Sequence, residues 1–298
     1  MLNELGRRQL SNGGWSNGTE CQQAALEPSC LAALALRNRA DAWRRVRNFL
    51  LRTQNSDGSW PAFDGDDREG SWTTSLALIT LYDCSFTACR RGFRWLLKFA
   101  GRESNCFWRW KFLTADRQVR FDPAKYGWPW FPDTVSWVVP TSFAILALSH
   151  LPISWGYLGA VADRVKLGTQ MLIDRACPGG GWNAGNGIVY GTPLRPHVDD
   201  TAVTLLALRQ RKQDPIVESG LLWLERTIPD VSSPWSVAWA TLALAAYDKS
   251  VEAVLSWLGS APDRCVFEHT GTLAMVCLAF DYSNTLSALR GKYEHYPS

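Results

Sequence analysis

At 298 residues, 46% apolar and 20% charged, the chain is long enough to bury a sizeable core and too apolar for a disordered segment. Its 31 basic and 28 acidic side chains are interleaved and give a formal net charge of +3, which excludes the single-sign stripe of a nucleic-acid binder. The outlier is tryptophan: sixteen residues, from Trp15 to Trp257, are more than an ordinary core needs.

The first ten residues, MLNELGRRQL, supply a first outer helix; they carry no apolar h-region, so no secretory signal is expected and the compartment expected is cytoplasmic. After Gly13-Gly14-Trp15 comes the first copy of an element that returns six times: LEPSCLAALAL (26–36), SWTTSLALITL (71–81), VVPTSFAILAL (138–148), VDDTAVTLLAL (198–208), PWSVAWATLAL (234–244) and EHTGTLAMVCL (268–278). Each reads as a helix with apolar or small residues on all sides. Between the copies lie segments 41–54, 89–101, 161–176, 215–228 and 251–261, whose apolar residues recur every three or four positions while charges take the opposite face. An all-apolar helix must be enclosed by protein and its amphipathic partner has one wet face. Six such pairs over residues 1–298 therefore predict an all-α single domain, an (α/α)6 barrel of inner apolar and outer amphipathic helices, with an open superhelix as the competing layout.

Gly-Trp punctuation marks the turns from outer to inner helices: Gly13-Gly14-Trp15, Gly58-Ser59-Trp60 preceded by Gln54, Gly127-Trp128 and Gly180-Gly181-Trp182. A Trp packed over such a turn clamps a helix end, and these tryptophans are expected to be structural. The eight cysteines form no CxxC pair and Cys30 and Cys277 fall inside apolar runs, which points to reduced, packed thiols. Residues 136–162 carry no charge, but Pro140, Pro152 and His150 break the stretch. It reads as a buried helix and an apolar loop, with a peripheral membrane contact as the other use of the loop.

Aligned on the terminal Leu, the copies share an early column of Ser29, Thr74, Thr141, Thr201, Val237 and Gly271. Two positions earlier stand Glu27, Trp72, Val139, Asp199, Trp235 and His269, which should face one end of the barrel. Taken singly, Asp199 or Asp200 reads as an N-cap, His269 as a half-buried histidine, and Glu27 before Pro28 as an ordinary helix start. Together they place carboxylates, an imidazole and indoles around a common mouth. The literal Asp64-Gly65-Asp66-Asp67 lies in a polar loop and is expected to be solvated.

The Gly-x-Trp turns together with Val198-Asp199-Asp200-Thr201-Ala202 resemble the squalene-hopene cyclase and prenyltransferase repeat superfamily, and within it class II terpene cyclases, whose motif is Asp-x-Asp-Asp-Thr-Ala. The chain has room for one barrel, similar to monodomain bacterial cyclases of the merosterolic acid synthase type. The resemblance implies a metal-free, cofactor-free isomerase that protonates an alkene or epoxide of a linear isoprenoid or meroterpenoid substrate. Asp199 takes the donor's place and Asp200 that of its supporting acid. The motif's first Asp is His197 here, so His197 or His269 would orient the acid.

That chemistry needs a carboxyl still protonated near neutral pH, which burial and a neighbouring carboxylate favour. The carbocation that follows needs aromatic faces, each worth roughly 0.5–2 kcal/mol. Trp72, Trp137, Phe143, Trp235 and Trp239 are the candidates, with Val139 beside them and Glu27 as the group for the final deprotonation. Three other readings remain. A zinc-dependent protein-prenyltransferase β-like subunit would need a metal set, for which Asp199 or Asp200, His269 and Cys265 are the nearest approximation. A carbohydrate-active (α/α)6 enzyme would use Glu27 and Asp199 as paired acids in a cavity rich in amides and charges. A binding module would have no chemistry at all.

Overall fold

Helices without a polar face have to sit inside helices that have one, and the chain alternates the two kinds. The computed structural model describes residues 1–65, 69–114 and 119–290. In chain order the outer helix α1 (Leu2–Arg7) precedes the inner helix α2 (Leu26–Ala35), α3 (Ala40–Thr53) precedes α4 (Thr73–Leu81), and α5 (Phe86–Lys98) leads through a short helix α6 (Cys106–Thr114) to the inner α7 (Val138–Leu148). Then α8 (Leu158–Asp174) precedes α9 (Val198–Ala207), α10 (Pro215–Thr227) precedes α11 (Pro234–Ala246), and α12 (Glu252–Ser260) leads through α13 (Asp263–Phe267) to α14 (Thr270–Phe280), followed by α15 (Tyr282–Leu289). A two-stranded antiparallel hairpin, β1 (Ile188–Val189) and β2 (Thr192–Pro193), lies in the loop before α9.

All nine residues of α4 are buried, whereas α3 buries Ala42, Val46, Phe49 and Leu50, the single stripe its spacing predicts. Each inner helix packs on two inner neighbours in the order α2, α4, α7, α9, α11, α14 and back to α2. The ring is closed and the open superhelix is excluded. The expected outer helices appear within a few residues of their predicted limits. The helices α6, α13 and α15 and the small hairpin had no counterpart in the repeat pattern.

Closure has a repeated backbone device. The residue two positions after each clamp Trp offers its carbonyl to the N-terminus of the preceding inner helix. Leu26 N–H donates to Ala62, Trp72 N–H to Trp130, Val138 N–H to Ala184 and, across the seam, Thr270 N–H to Asn17, at 2.9, 3.0, 2.9 and 2.9 Å. The last of these joins the sixth inner helix to the first loop. Because the first N–H groups of a helix have no partner within it, each bond satisfies a donor that burial would otherwise penalise.

The clamp tryptophans form three-helix junctions. The indole N–H of Trp15, Trp60, Trp128 and Trp182 donates to the carbonyls of Leu5, Leu50, Leu96 and Leu172, in the last turns of the outer helices before them. Their backbone N–H groups donate to the hydroxyls of Ser29, Thr74, Thr141 and Thr201 on the following inner helices, at 2.8, 2.9, 3.0 and 2.9 Å. The rings of Trp60, Trp128 and Trp182 lie against Gly92, Gly168 and Gly220 of the next outer helix. Gln9 and Gln54 tie the same turns to the Ala42 and Ala88 carbonyls of that next helix. The hydroxyl column is therefore the inner half of the clamp. It stops at Val237 and Gly271 because the fifth and sixth turns carry no clamp Trp to bond.

A helical glycine with free space around it gains about 0.5–1 kcal/mol when changed to alanine, and Gly6→Ala, half-buried but with nothing within 4 Å of the added carbon, should do so. At Gly220 the same change puts Cβ 2.5 Å from the Trp182 ring. Gly220→Ala should lower stability by about 1–3 kcal/mol in denaturant unfolding, the reverse sign.

Candidate active site

Outer helices run toward the end of the ring where inner helices begin, so the first turns of the inner helices surround one mouth. Inside it lies a cavity of about 170 Å³ with two tiers. The upper tier is Glu27, Trp72, Val139, Asp199 and Trp235, five of the six residues of the predicted column. The lower tier is Leu31, Leu76, Phe143, Val203 and Trp239, each four residues further on and so one helical turn deeper. Asp200 and Trp130 complete the lining.

The aromatic rings form a continuous wall. Trp130 meets Trp72 edge-on at 5.0 Å, Trp72 meets Phe143 at 5.4 Å, Phe143 meets Trp239 at 5.7 Å and Trp239 meets Trp235 at 6.0 Å. The wall ends on an acid, because Trp235 Nε1–H donates to Asp199 Oδ2 at 3.3 Å. Against this surface stand three carboxyls. Asp200 is buried, and His197 Nδ1 lies 2.9 Å from its Oδ2. Burial, and then the neighbouring Asp199 charge, push the Asp200 carboxyl up to about 6, partly offset by the imidazole. Glu27 stands across the ring on α2 and, among the described residues, has no hydrogen-bond or ion-pair partner. Burial alone pushes it up to about 7.

Two expected site residues lie elsewhere. His269 is exposed, with no bond to either Asp among the described residues, and Trp137 packs on Gly185 outside the cavity. The cause is the same for both. Each is an N-cap with extended backbone, at φ −113 and −129, so its side chain leaves the direction that the helical residues share. Of the two histidines proposed to steer the acid, the structure brings only His197 to it. Its side chain is 59% exposed, so the ring spans solvent and the buried carboxyl. Trp130, Leu31, Leu76 and Val203 were not anticipated, although the four-residue step and the clamp-plus-two position point to them. Asp64 is bonded to Asn12; Asp66 and Asp67 lie outside the described residues. The clamp tryptophans line no part of the cavity.

The described cysteines are free thiols, with Cys30, Cys89, Cys177 and Cys277 buried. Among the described residues no three His, Cys, Asp or Glu side chains converge as a metal-binding group. No helix among them is long and apolar enough to cross a membrane.

Because folding raises the Glu27 pKa above its ordinary value of 4.5, the protonated form is favoured in the native state. The destabilisation is absent below about pH 4.5 and complete above about pH 7. Glu27→Gln should thus stabilise the protein by up to about 3 kcal/mol at pH 8 and leave it unchanged near pH 4, measured by urea unfolding across that range.

No family model matches the chain, and no curated protein matches it. Among solved structures it is similar to an alpha-amylase from Clostridium perfringens, at 10% identity and a TM-score of 0.61 over 95% of this chain and 96% of that one. It is also similar to the type II terpene cyclase MstE from Scytonema, at 13% identity and a TM-score of 0.51 over 86% and 76% of the two chains. At such identities these likenesses establish a fold, a ring of paired helices shared with enzymes of different chemistry.

Proposed function

We propose that the chain is a class II terpene cyclase, which starts ring closure of a linear isoprenoid or meroterpenoid by protonating it. The observation that supports this is a pair of adjacent carboxyls opening into a cavity whose other walls, Glu27 apart, are aromatic or aliphatic. A sugar carries about one hydroxyl per carbon, and each hydroxyl buried without a partner costs on the order of 1–3 kcal/mol. Among the described residues the lining offers no amide, hydroxyl side chain or cation to meet that need, so it suits hydrocarbon better than carbohydrate.

The Asp199–Asp200 pair is the acid. The motif places the donor at Asp199, while the electrostatics keep the proton on Asp200 up to about pH 6. His197, wet on one side and bonded to Asp200 on the other, restores that proton from solvent. Proton transfer to a terminal double bond forms the C–H bond and leaves a tertiary cation, which the next double bond attacks. The Trp72–Phe143–Trp239 wall faces the positive carbon, and the apolar side chains of the lower tier offer no partner to hold a quenching water beside it. A volume near that of one six-membered hydrocarbon ring holds the ring that forms first, with the rest of the chain toward the mouth. Glu27, on the opposite wall, is the base for the proton lost at the end in the molecules where it is ionised, a minority where Asp200 keeps its proton because burial holds Glu27 up to about 7, and the overall reaction is an isomerisation.

The test is incubation with farnesyl and geranylgeranyl diphosphates, squalene and maltooligosaccharides, with and without chelator, followed by mass spectrometry. Cyclised terpenoids that survive chelation are expected; hydrolysed oligosaccharide, or chelator-sensitive prenyl transfer, would replace this reading with a rival. Asp199→Asn with Asp200→Asn should abolish turnover. Asp199→Asn alone removes the charge that, after burial, helps to hold the Asp200 proton, so activity that declines above about pH 6 should decline at somewhat lower pH in that variant. In Glu27→Gln, initiation should persist while products shift from olefins to water-quenched alcohols.

A further inference from the structure

The connection between α5 and α7 holds the one α-helix among those described that buries none of its residues, α6. Its inward side is fixed. Trp108 and Phe112 meet at 6.1 Å, Phe112 meets Phe121 at 5.5 Å, and the Arg175 guanidinium lies 4.8 Å over Phe121. Arg175 is in turn bonded at 3.2 Å to the fully buried Glu103. The outward side carries Phe107, Trp110 and Leu113, exposed by 59%, 61% and 58%. At 100° per residue these three share one face, with Lys111 at one edge and Arg109 at the other.

A rigid helix that keeps three large apolar side chains in water loses free energy unless something covers them. The chemistry of the rim says what. From Arg102 to Thr114 the only acid is Glu103, which is consumed inside by Arg175, so the surface of this segment is positive and aromatic. Aromatic side chains flanked by cations suit the interface of an anionic bilayer, where indole rings settle at headgroup depth and Lys and Arg meet phosphates. A second copy of the chain would bring a second positive rim against the first.

The position adds a reason. Arg102 N–H donates to the Thr134 carbonyl at 2.9 Å, and the loop so held also carries Trp130 into the cavity lining. The start of this segment is therefore tied to the loop that helps to form the mouth. We propose that α6 docks the protein on the surface of an anionic membrane through Phe107, Trp110 and Leu113, with the cavity mouth toward the lipid. The proposal moves the membrane contact from residues 136–162, where Val138–Leu148 is an enclosed inner helix, to a segment that presents its apolar side chains. It stands on this surface and needs no particular chemistry in the cavity.

The test is co-sedimentation of the full chain with phosphatidylcholine vesicles, with and without 30% phosphatidylglycerol, at 0.1 and 0.5 M salt. Binding to the anionic vesicles is expected, several-fold weaker at high salt, and at least ten-fold weaker in Phe107→Ser/Trp110→Ser, whose exposed positions leave the circular dichroism and melting unchanged. Absence of binding to the anionic vesicles, or binding that the double variant retains, would overturn the proposal. So would sedimentation velocity that shows the wild type dimerising through this face. A Lys111→Glu variant that loses anionic binding with both aromatics in place separates the electrostatic contribution from the apolar one.

Discussion

The ring depends on the junction in which one tryptophan joins three helices. Its indole N–H donates to a carbonyl at the end of one outer helix, its backbone N–H donates to a hydroxyl oxygen of the inner helix, and in three of the four copies its ring presses on a glycine of the next outer helix. Burying an indole removes about 150–250 Å² from water, an upper bound of about 4–6 kcal/mol at 25 cal/mol per Å². Each hydrogen bond adds only about 1 kcal/mol net. The burial therefore supplies the stability and the bonds supply the geometry. Of the two inner helices without a clamp, α11 is capped by Ser233 with Pro234 at its first position, and α14 keeps only the backbone bond to the next loop, Thr270 to Asn17, that α2, α4 and α7 also make.

The same geometry sets the site's electrostatics. With six helix N-termini around one mouth, the backbone favours negative charge there, at roughly 0.3–1 kcal/mol for each group so placed. Burial opposes it. Asp200 and Glu27 are both displaced upward, to about 6 and about 7, which corresponds to roughly 3 kcal/mol each. Burial wins, and by enough to leave a proton in a cavity whose helix dipoles would otherwise expel it. The junctions make this environment possible, since they hold the inner helices together without any polar side chain having to cross the mouth.

Much of this was legible in the residues. The alternation of apolar and amphipathic segments encodes the two layers, and the hydroxyl column marks the inner end of each clamp. The residue two places before it marks the upper tier of the cavity. What the spacing could not show was backbone direction at the caps. Glu27, Asp199 and Trp235 lie within helical backbone, whereas His269 and Trp137 sit one step outside it, and that step turns their side chains away. Trp130 was hidden for another reason, because it reaches the cavity from the loop of the next repeat. Closure was open on the sequence, since it rests on backbone bonds such as Thr270 to Asn17 that no side chain announces.

A scaffold shared with an alpha-amylase and a terpene cyclase does not choose between sugar and hydrocarbon. The choice falls to about a dozen side chains at the mouth, and there the balance is lopsided. Trp72, Trp130, Phe143, Trp235 and Trp239 are each able to stack on a sugar face, but a sugar also needs partners for its edges, and the lower tier of Leu31, Leu76 and Val203 has none. A carbocation reverses that requirement. It is harmed by lone pairs and helped by π faces, and on the proposed reading the proton that starts it comes from the acids on α9, across the ring from the acid on α2.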